Sequence, residues 1–346
     1  MATSNQPADE RRIVIVIGPG RSGTSTVAGA LALSGLEVPG RAIKGNRANP
    51  SGFYEPRWVV NLHRRLLEGN HVANLDASPD ALERMSQVTA APAVREELRV
   101  WLAERLEEQP RLVVKDPRTV WFRDLWVETA RELGVEPAFV TMLRHPAEVS
   151  ASRQKYYNNP DEVRRADEVS RIAGWINVAL LAERVTQGSP RAFVRYTDLV
   201  SDWRKALGRL GDTIHLDYNP PLDVAEHPVD GFIDPALHRV HVDWADVAVP
   251  GALRDLGERA WQALSRLSDE GESDEITAEI GELRAEYAQM TEDALALSRQ
   301  AIRRTVVSAR RKARRQLRAE LTRQGGNGES ATRVSGIWRR LTSGRS

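Results

Sequence analysis

Apolar and polar positions along the chain fall into two regimes. Ile13-Val14-Ile15-Val16-Ile17 is a short β-branched run, the pattern of a strand buried on both faces. A glycine-rich stretch follows at once. From Ser25 to Ser34 the apolar residues Val27, Ala28, Leu31 and Ala32 recur at helical spacing, and Gly35 supplies a stop. This opening predicts strand, loop, helix. Further apolar runs at Leu112 to Val114, Ala138 to Leu143 and Ala192 to Val194 each come closely after a proline, with helical patterning between them. Such alternation predicts a parallel sheet covered by helices. Helices are expected near Ala93 to Leu106, Arg123 to Leu133, Pro146 to Tyr157 and Glu162 to Thr186. From about Pro250 the regime changes to charged, helix-favouring sequence without strand signal, interrupted by the acidic stretch Ser268 to Glu275. One or two long helices are expected from Ile276 to about Leu321, ended by the glycines at Gly325 to Gly328. There is no internal repeat.

The expected fold class is α/β, a three-layer P-loop-type fold with a central parallel sheet and a helical carboxyl-terminal extension. Its expected limits are a disordered amino terminus over residues 1–11, an α/β domain over 12–249, a helical extension with a basic end over 250–323 and a flexible basic tail over 324–346.

Composition changes this picture in one place. Lys+Arg 49 against Asp+Glu 48 leaves a formal charge of +1, but Ala301 to Ser346 holds many arginines and only two acids, Glu320 and Glu329. The remainder is therefore net acidic. A solvated helix is the first reading of the basic end, an anionic membrane surface the second and nucleic acid the third. Val306, Val307, Leu317, Leu321, Ile337 and Trp338 give it apolar content. No nucleic-acid partner is expected, and peripheral contact with an anionic membrane through residues 301–346 is open. The absence of cysteine excludes disulfides and thiolate metal sites. The run Ile13 to Ile17 is too short for a signal sequence or a membrane span. The expected location is the cytoplasm, with the tail able to bring the protein to the inner membrane surface.

The candidate chemistry begins in Gly18-Pro-Gly-Arg-Ser-Gly-Thr-Ser25, set between the strand and the helix. Backbone N–H groups and a helix N-terminus converge there on one point that attracts anions. Gly18 and Gly23 have the spacing of a nucleotide P-loop, but Thr24 stands where a Walker loop has lysine. The cation is instead Arg21, whose planar fork can hold a phosphate or sulfonate through two N–H groups. Ser22, Thr24, Ser25 and Thr26 add hydroxyls. A glycine-rich turn without a ligand is the bland alternative.

Gly20-Arg-Ser-Gly-Thr-Ser25 resembles the 5′-phosphosulfate loop, (P/G)-(K/R)-S-G-T-(S/T), of the sulfotransferases that use 3′-phosphoadenosine 5′-phosphosulfate (PAPS). Arg144 follows the run Ala138 to Leu143, His145-Pro146 opens a helix, and Ser152 lies eight residues after the arginine. In that family an arginine and a serine at similar spacing bind the 3′-phosphate, so the resemblance assigns this role to Arg144 and Ser152. Taken alone, Arg144 could equally pair with Glu148 and Ser152 could be exposed; Ser150 is the near competitor. Gly20, Arg21, Ser22, Gly23, Thr24, Ser25, Arg144 and Ser152 are thus the expected co-substrate contacts, with no metal required.

Lys115-Asp-Pro-Arg118 ends the run Leu112 to Val114. Asp116 could be mistaken for a Walker B aspartate holding magnesium. Many sulfotransferases have a similar lysine here, which implies that Lys115 neutralises the sulfonate or the leaving phosphate. Some carry a histidine base two residues on, where this chain has Pro117. An acceptor hydroxyl still needs a base. Several members use a glutamate from the segment after the first helix, which points to Glu55 in Asn49-Pro-Ser-Gly-Phe-Tyr-Glu-Pro56. Glu55, Lys115 and Arg21 are the expected catalytic residues. His63, Asp116 and His145 are rival bases, and Glu55 could instead pair with Arg57 or another arginine.

Phe53, Tyr54, Trp58, Trp121, Tyr156, Tyr157 and Trp175 are aromatics on which an acceptor could stack, although most aromatics are core. Val194-Arg-Tyr-Thr-Asp-Leu199 resembles the family segment V-x-Y-E-D-L, which implies packing with Tyr196 near the crevice. Phe232 to Arg239 looks like a late segment that can reach the nucleotide. The resemblance spans Ile13 to Leu199 and thins through Trp244. It implies sulfonate transfer from PAPS to a hydroxyl of a carbohydrate or glycolipid. A P-loop small-molecule kinase and a non-catalytic anion-binding, membrane-associated protein are the alternatives.

Overall fold

The computed structural model describes residues 11–46, 52–154, 161–234 and 242–324. Residues up to Ala288 form one compact unit and those from Gln289 a second.

Each apolar run becomes a parallel strand: β1 Arg12–Ile17, β2 Arg111–Lys115, β3 Ala138–Leu143 and β4 Arg191–Arg195, in sheet order β2-β1-β3-β4. Val14 stands opposite Val113 on one side and Ala138 on the other. Both faces are covered, which is why these runs do not alternate with polar residues. Ile13, Ile15 and Ile17 pack with Leu112, Val114 and Phe139 under α2 Arg57–Gly69, α3 Ala81–Thr89, α4 Pro92–Glu108, α5 Arg123–Glu132 and α7 Asp161–Thr186. Val14, Val16, Val140, Met142 and Val194 pack on the other face under α1 Thr24–Ala32, α8 Tyr196–Ser201 and α9 Trp203–Ile214. The three layers expected from sequence are present. Each fully buried valine or isoleucine contributes about 1.5–3 kcal/mol relative to exposure, and these strands supply most of the sheet's share.

The free edge of β2 is closed by Glu37, whose N–H donates to Arg111 O at 2.8 Å and whose carbonyl accepts from Val113 N at 2.9 Å. Beyond β4, α10 Gly251–Glu270 buries Leu253, Leu256, Ala260, Leu264 and Leu267, and Ser268 Oγ donates to Phe193 O at 2.8 Å. The first turns of α11 Asp274–Gln324 bury Ile276, Ile280 and Leu283, and the Tyr287 hydroxyl donates to Ala77 O at 2.5 Å. The buried Glu183 accepts from Arg191 and Arg284, tying α7, β4 and α11 together. Compact packing therefore continues beyond Pro250, where strand-type sequence stops, through Ala288.

Helix α6 Pro146–Gln154 begins where expected; Tyr156 and Tyr157 lie outside the described residues. The same holds for residues 1–10, for Asn49 to Ser51, for Arg239 and for the tail beyond Gln324 with its glycines, Ile337 and Trp338. From Gln289 the second unit is helical to Gln324. Among the described residues no helix is long and apolar enough to cross a membrane.

In the sheet order β2-β1-β3-β4, the connections from β1 and β3 leave in opposite directions. The usual ligand position in such sheets, the crevice of a topological switch point, lies beyond the carboxyl ends of these two neighbours.

Candidate active site

The loop after β1 enters this crevice with an unusual backbone. Gly18 has φ 124° and Gly23 φ 91°, and Arg21 itself takes φ 79°, a left-handed conformation that L side chains adopt rarely. At Gly18 a Cβ would lie 2.6 Å from Met142 O, and at Gly23 2.3 Å from the Tyr196 ring, so only glycine fits. Gly23 caps α1 without a side-chain hydrogen bond, and the helix has no acid in its first turn. Its partial positive end therefore has no carboxylate from its own first turn. Among the described residues, Ser22 Oγ is fully buried without a hydrogen-bond partner. A buried orphan hydroxyl beside an uncapped helix start fits an anionic oxygen.

The second anchor comes from the end of β3. Arg144 and Ser152 are both more than nine-tenths buried, and Arg21 Nε donates to Ser152 Oγ at 3.2 Å. Loop and α6 therefore meet. Arg144 also pairs with Glu148, Nε to Oε2 2.8 Å, as the plainer sequence reading allowed, but Ser152 is buried rather than exposed. The Arg144 guanidinium lies 4.6 Å from the centroid of the Tyr196 ring, a cation–π distance. Tyr196, which opens α8 after β4, thus braces both Gly23 and Arg144. Burial pushes its hydroxyl pKa up, against the opposing charges of Arg144 and Arg21.

Lys115, the last residue of β2, is 3% exposed. Its Nζ donates to Glu55 Oε1 at 2.5 Å and to Ser25 Oγ at 3.4 Å. One ammonium links the glutamate, sixty residues before it in sequence, to the phosphate-type loop. Glu55 pairs with Lys115 rather than with Arg57. Its backbone is pinned, with Ile43 N donating to Glu55 O at 2.8 Å and Arg57 N to Arg41 O at 2.9 Å. Tyr54, just before it, sits at φ 54°. The Tyr54 ring lies against Gly29 of α1 and edge-on to Phe232, centroids 5.6 Å apart. A Cβ on Gly29 would fall 2.3 Å from Phe232 and 2.8 Å from Tyr54. Gly29 therefore helps to position Glu55. The sequence reading passed over Gly29; an interior helix glycine, penalised by propensity, was the signal.

The rival bases lie elsewhere. His63 is fully buried, stacked on Phe122, and its Nε2 accepts from Trp126 Nε1 at 3.0 Å. The ring proton is then on Nδ1, donated to Asp116 Oδ2 at 2.9 Å. The other Asp116 oxygen accepts from Arg118 N and from its guanidinium at 3.0 and 2.8 Å. Burial would push the Asp116 carboxyl up, but the His63 hydrogen bond and Arg118 outweigh it and hold it below the usual carboxylate range. With both oxygens engaged in the core, Asp116 does not present a magnesium ligand to the crevice, and the Walker B reading loses its carboxylate.

His145 Nδ1 accepts from Ala147 N at 3.3 Å, so its Nε2 proton faces Glu258 at 3.1 Å. Glu258 also accepts from Trp244 Nε1 at 2.8 Å. Burial pushes Glu258 up, yet the bonds from Trp244, His145 and Gln262 hold its pKa below the ordinary value. Neither histidine has a ring nitrogen left to act as a base. Trp121 and Trp175 are core, and Trp58 stacks on Trp101 at 4.6 Å.

No protein-family model matches this chain, and no curated protein matches it. Among solved structures it is similar to the sulfotransferase domain of the Synechococcus PCC 7002 olefin synthase, 17% identical over 76% of this chain and 98% of that one, with a TM-score of 0.41. It is also similar to a sulfotransferase domain of the curacin biosynthetic pathway, 15% identical over 74% and 98% of the two chains, TM-score 0.40. A third likeness is to sulfotransferase STF1 of Mycobacterium tuberculosis H37Rv, 14% identical over 72% and 76%, TM-score 0.36. What this chain itself does is read from its own side chains.

Proposed function

We propose that this protein is a sulfotransferase that moves the sulfonate of PAPS to a hydroxyl on a carbohydrate or glycolipid acceptor, releasing adenosine 3′,5′-bisphosphate. The observation that carries the reading is the contact between Arg21 Nε and Ser152 Oγ at 3.2 Å, which joins two anion-seeking segments in one crevice. A nucleotide phosphorylated at both its 5′ and 3′ positions needs two such anchors; ATP needs only the first. On this reading Gly20 to Ser25 and Arg21 hold the 5′-phosphosulfate, and Arg144 with Ser152 holds the 3′-phosphate.

PAPS, when bound, supplies an electrophilic sulfur and a phosphate leaving group. Sulfuryl transfer is an in-line displacement through a loose transition state, so positioning and charge do most of the work. Glu55 accepts the proton of the acceptor hydroxyl as its oxygen bonds to sulfur and the bond from sulfur to the phosphate oxygen breaks. Lys115 holds Glu55 in place and offers its remaining N–H to the oxygen that gains charge. Arg21 and Lys115 supply positive charge that many phosphoryl-transfer sites take from magnesium, so no metal is required. Asp116, engaged by His63 and Arg118, weighs against the kinase alternative.

Calorimetry separates these readings. The expected outcome is tight binding of adenosine 3′,5′-bisphosphate and none of magnesium ATP. The reverse pattern would sink the proposal in favour of a kinase. Label transfer from radioactive PAPS into cell extracts then identifies the acceptor class.

A further inference from the structure

We propose that the helix beyond residue 288 docks the protein on the anionic headgroup surface of a lipid bilayer, an inference independent of the sulfotransfer reading. From Ala294 to Ala319 the chain contains no acid, whereas Arg303, Arg304, Arg310, Arg311, Arg314 and Arg315 crowd a short stretch of it. The segment is uninterrupted helix. From Glu292 to Gln316 every residue with a described side chain is exposed, apart from the half-buried Ser298.

Earlier in the chain, where α10 and the start of α11 meet, arginines have carboxylate partners. Arg259 pairs with Glu286, and Arg266 reaches Glu275 and Glu279. Those charges alternate in sign. In the distal segment Arg310 with Arg314 and Arg311 with Arg315 stand four residues apart with like charge, an arrangement that destabilises an isolated helix. An external anionic surface would relieve it.

The apolar residues identify which surface. At 100° per residue, Leu295, Val306, Ala309 and Ala313 fall within a sector roughly 60° wide, while Leu297 and Val307, also exposed, lie outside it. Arg303, Arg310 and Arg314 lie along one flank of that sector, and Lys312 lies on the other. Leu295 is 50% exposed and Val306 43%. A narrow apolar stripe flanked by cations is the pattern of a helix lying in the plane of a membrane interface, its stripe in the acyl boundary and its arginines among phosphates. Nucleic acid would satisfy the arginines but would leave the leucine and valine in water.

The test is co-flotation of the full chain with vesicles of pure phosphatidylcholine and with vesicles in which about three lipids in ten are phosphatidylserine or phosphatidylglycerol. Capture by the anionic vesicles alone is expected, falling steeply at about 0.5 M salt. Replacing Arg310, Arg311, Arg314 and Arg315 together by glutamine, which keeps helix propensity, should weaken capture on the order of a hundredfold. Val306→Asn should weaken it several-fold. Both variants should keep native circular dichroism and the wild-type unfolding midpoint. Equal capture by neutral and anionic vesicles, capture by neither, or release from anionic vesicles by equimolar duplex DNA would each overturn the proposal.

Discussion

Lys115 and Asp116 are consecutive at the carboxyl end of β2, and their surroundings differ in kind. Lys115 reaches the crevice, where it touches Glu55 and Ser25. Asp116 enters the core, where His63, Trp126 and Arg118 complete a closed chain of hydrogen bonds. Successive side chains at a strand end point to opposite sides, so one motif serves two compartments. One pair is built around a contact that a ligand can join. The other has no open valence, and its worth is structural. Buried polarity alone does not mark chemistry; what matters is whether every donor and acceptor is already used.

Four substitutions test that contrast, in order of expected effect. Glu55→Gln should lower kcat by about a thousandfold, the scale of a lost general base, while calorimetric affinity for adenosine 3′,5′-bisphosphate changes little. Unchanged turnover would move Glu55 out of the chemistry.

Asp116→Ala should behave oppositely. It should lose about 3 kcal/mol of unfolding free energy in denaturant titration, because His63 and Arg118 lose a buried partner, with turnover per folded molecule nearly intact. Because the folded Asp116 carboxyl is held below its ordinary value, its stabilisation is complete above the unfolded-state pKa and is lost as pH falls through the folded one. The gap between wild type and Asp116→Ala should therefore stay level near neutrality and narrow only at acid pH, below about 4. A gap that narrows near neutrality would overturn this assignment to the Asp116 carboxyl.

Arg144→Ala should weaken adenosine 3′,5′-bisphosphate binding by about thirtyfold, the worth of a charge-assisted contact, and should spare adenosine 5′-phosphate binding. Equal weakening of both nucleotides would mean that Arg144 only braces Tyr196 and Glu148. Gly29→Ala should be the mildest. Its methyl group would press on Tyr54 and Phe232, at a stability cost of about 1–2 kcal/mol. A several-fold fall in kcat with unchanged nucleotide affinity would identify Gly29 as a positioning residue for Glu55.

Much of the fold was legible because its signals are local. The β-branched run before Gly18, the helical spacing after it and the prolines before Arg111, Ala138 and Arg191 each mark an element by its own period. Helices α2 and α9 passed unread, although Val59, Leu62, His63, Leu66 and Leu67 form a helical stripe in one, and Trp203, Ala206, Leu207, Leu210 and Ile214 in the other. Polar and charged residues fill the opposite face of both helices, so their period was present in the sequence. The change of pattern at Pro250 marks the end of strand sequence, not of compact packing, because α10 buries its leucines against α7 and β4.

By itself the sequence determined the strand–loop–helix cradle, the arginine that stands in it and the spacing of Arg144 and Ser152, since each depends on residues close in the chain. Only the tertiary structure decided that Glu55 meets Lys115, that Arg21 meets Ser152, and that His63 and His145 are spent on Asp116 and Glu258. These pairings join residues 53 to 131 positions apart. Periodicity assigns a residue to a face, but which distant face packs against it depends on how the layers close.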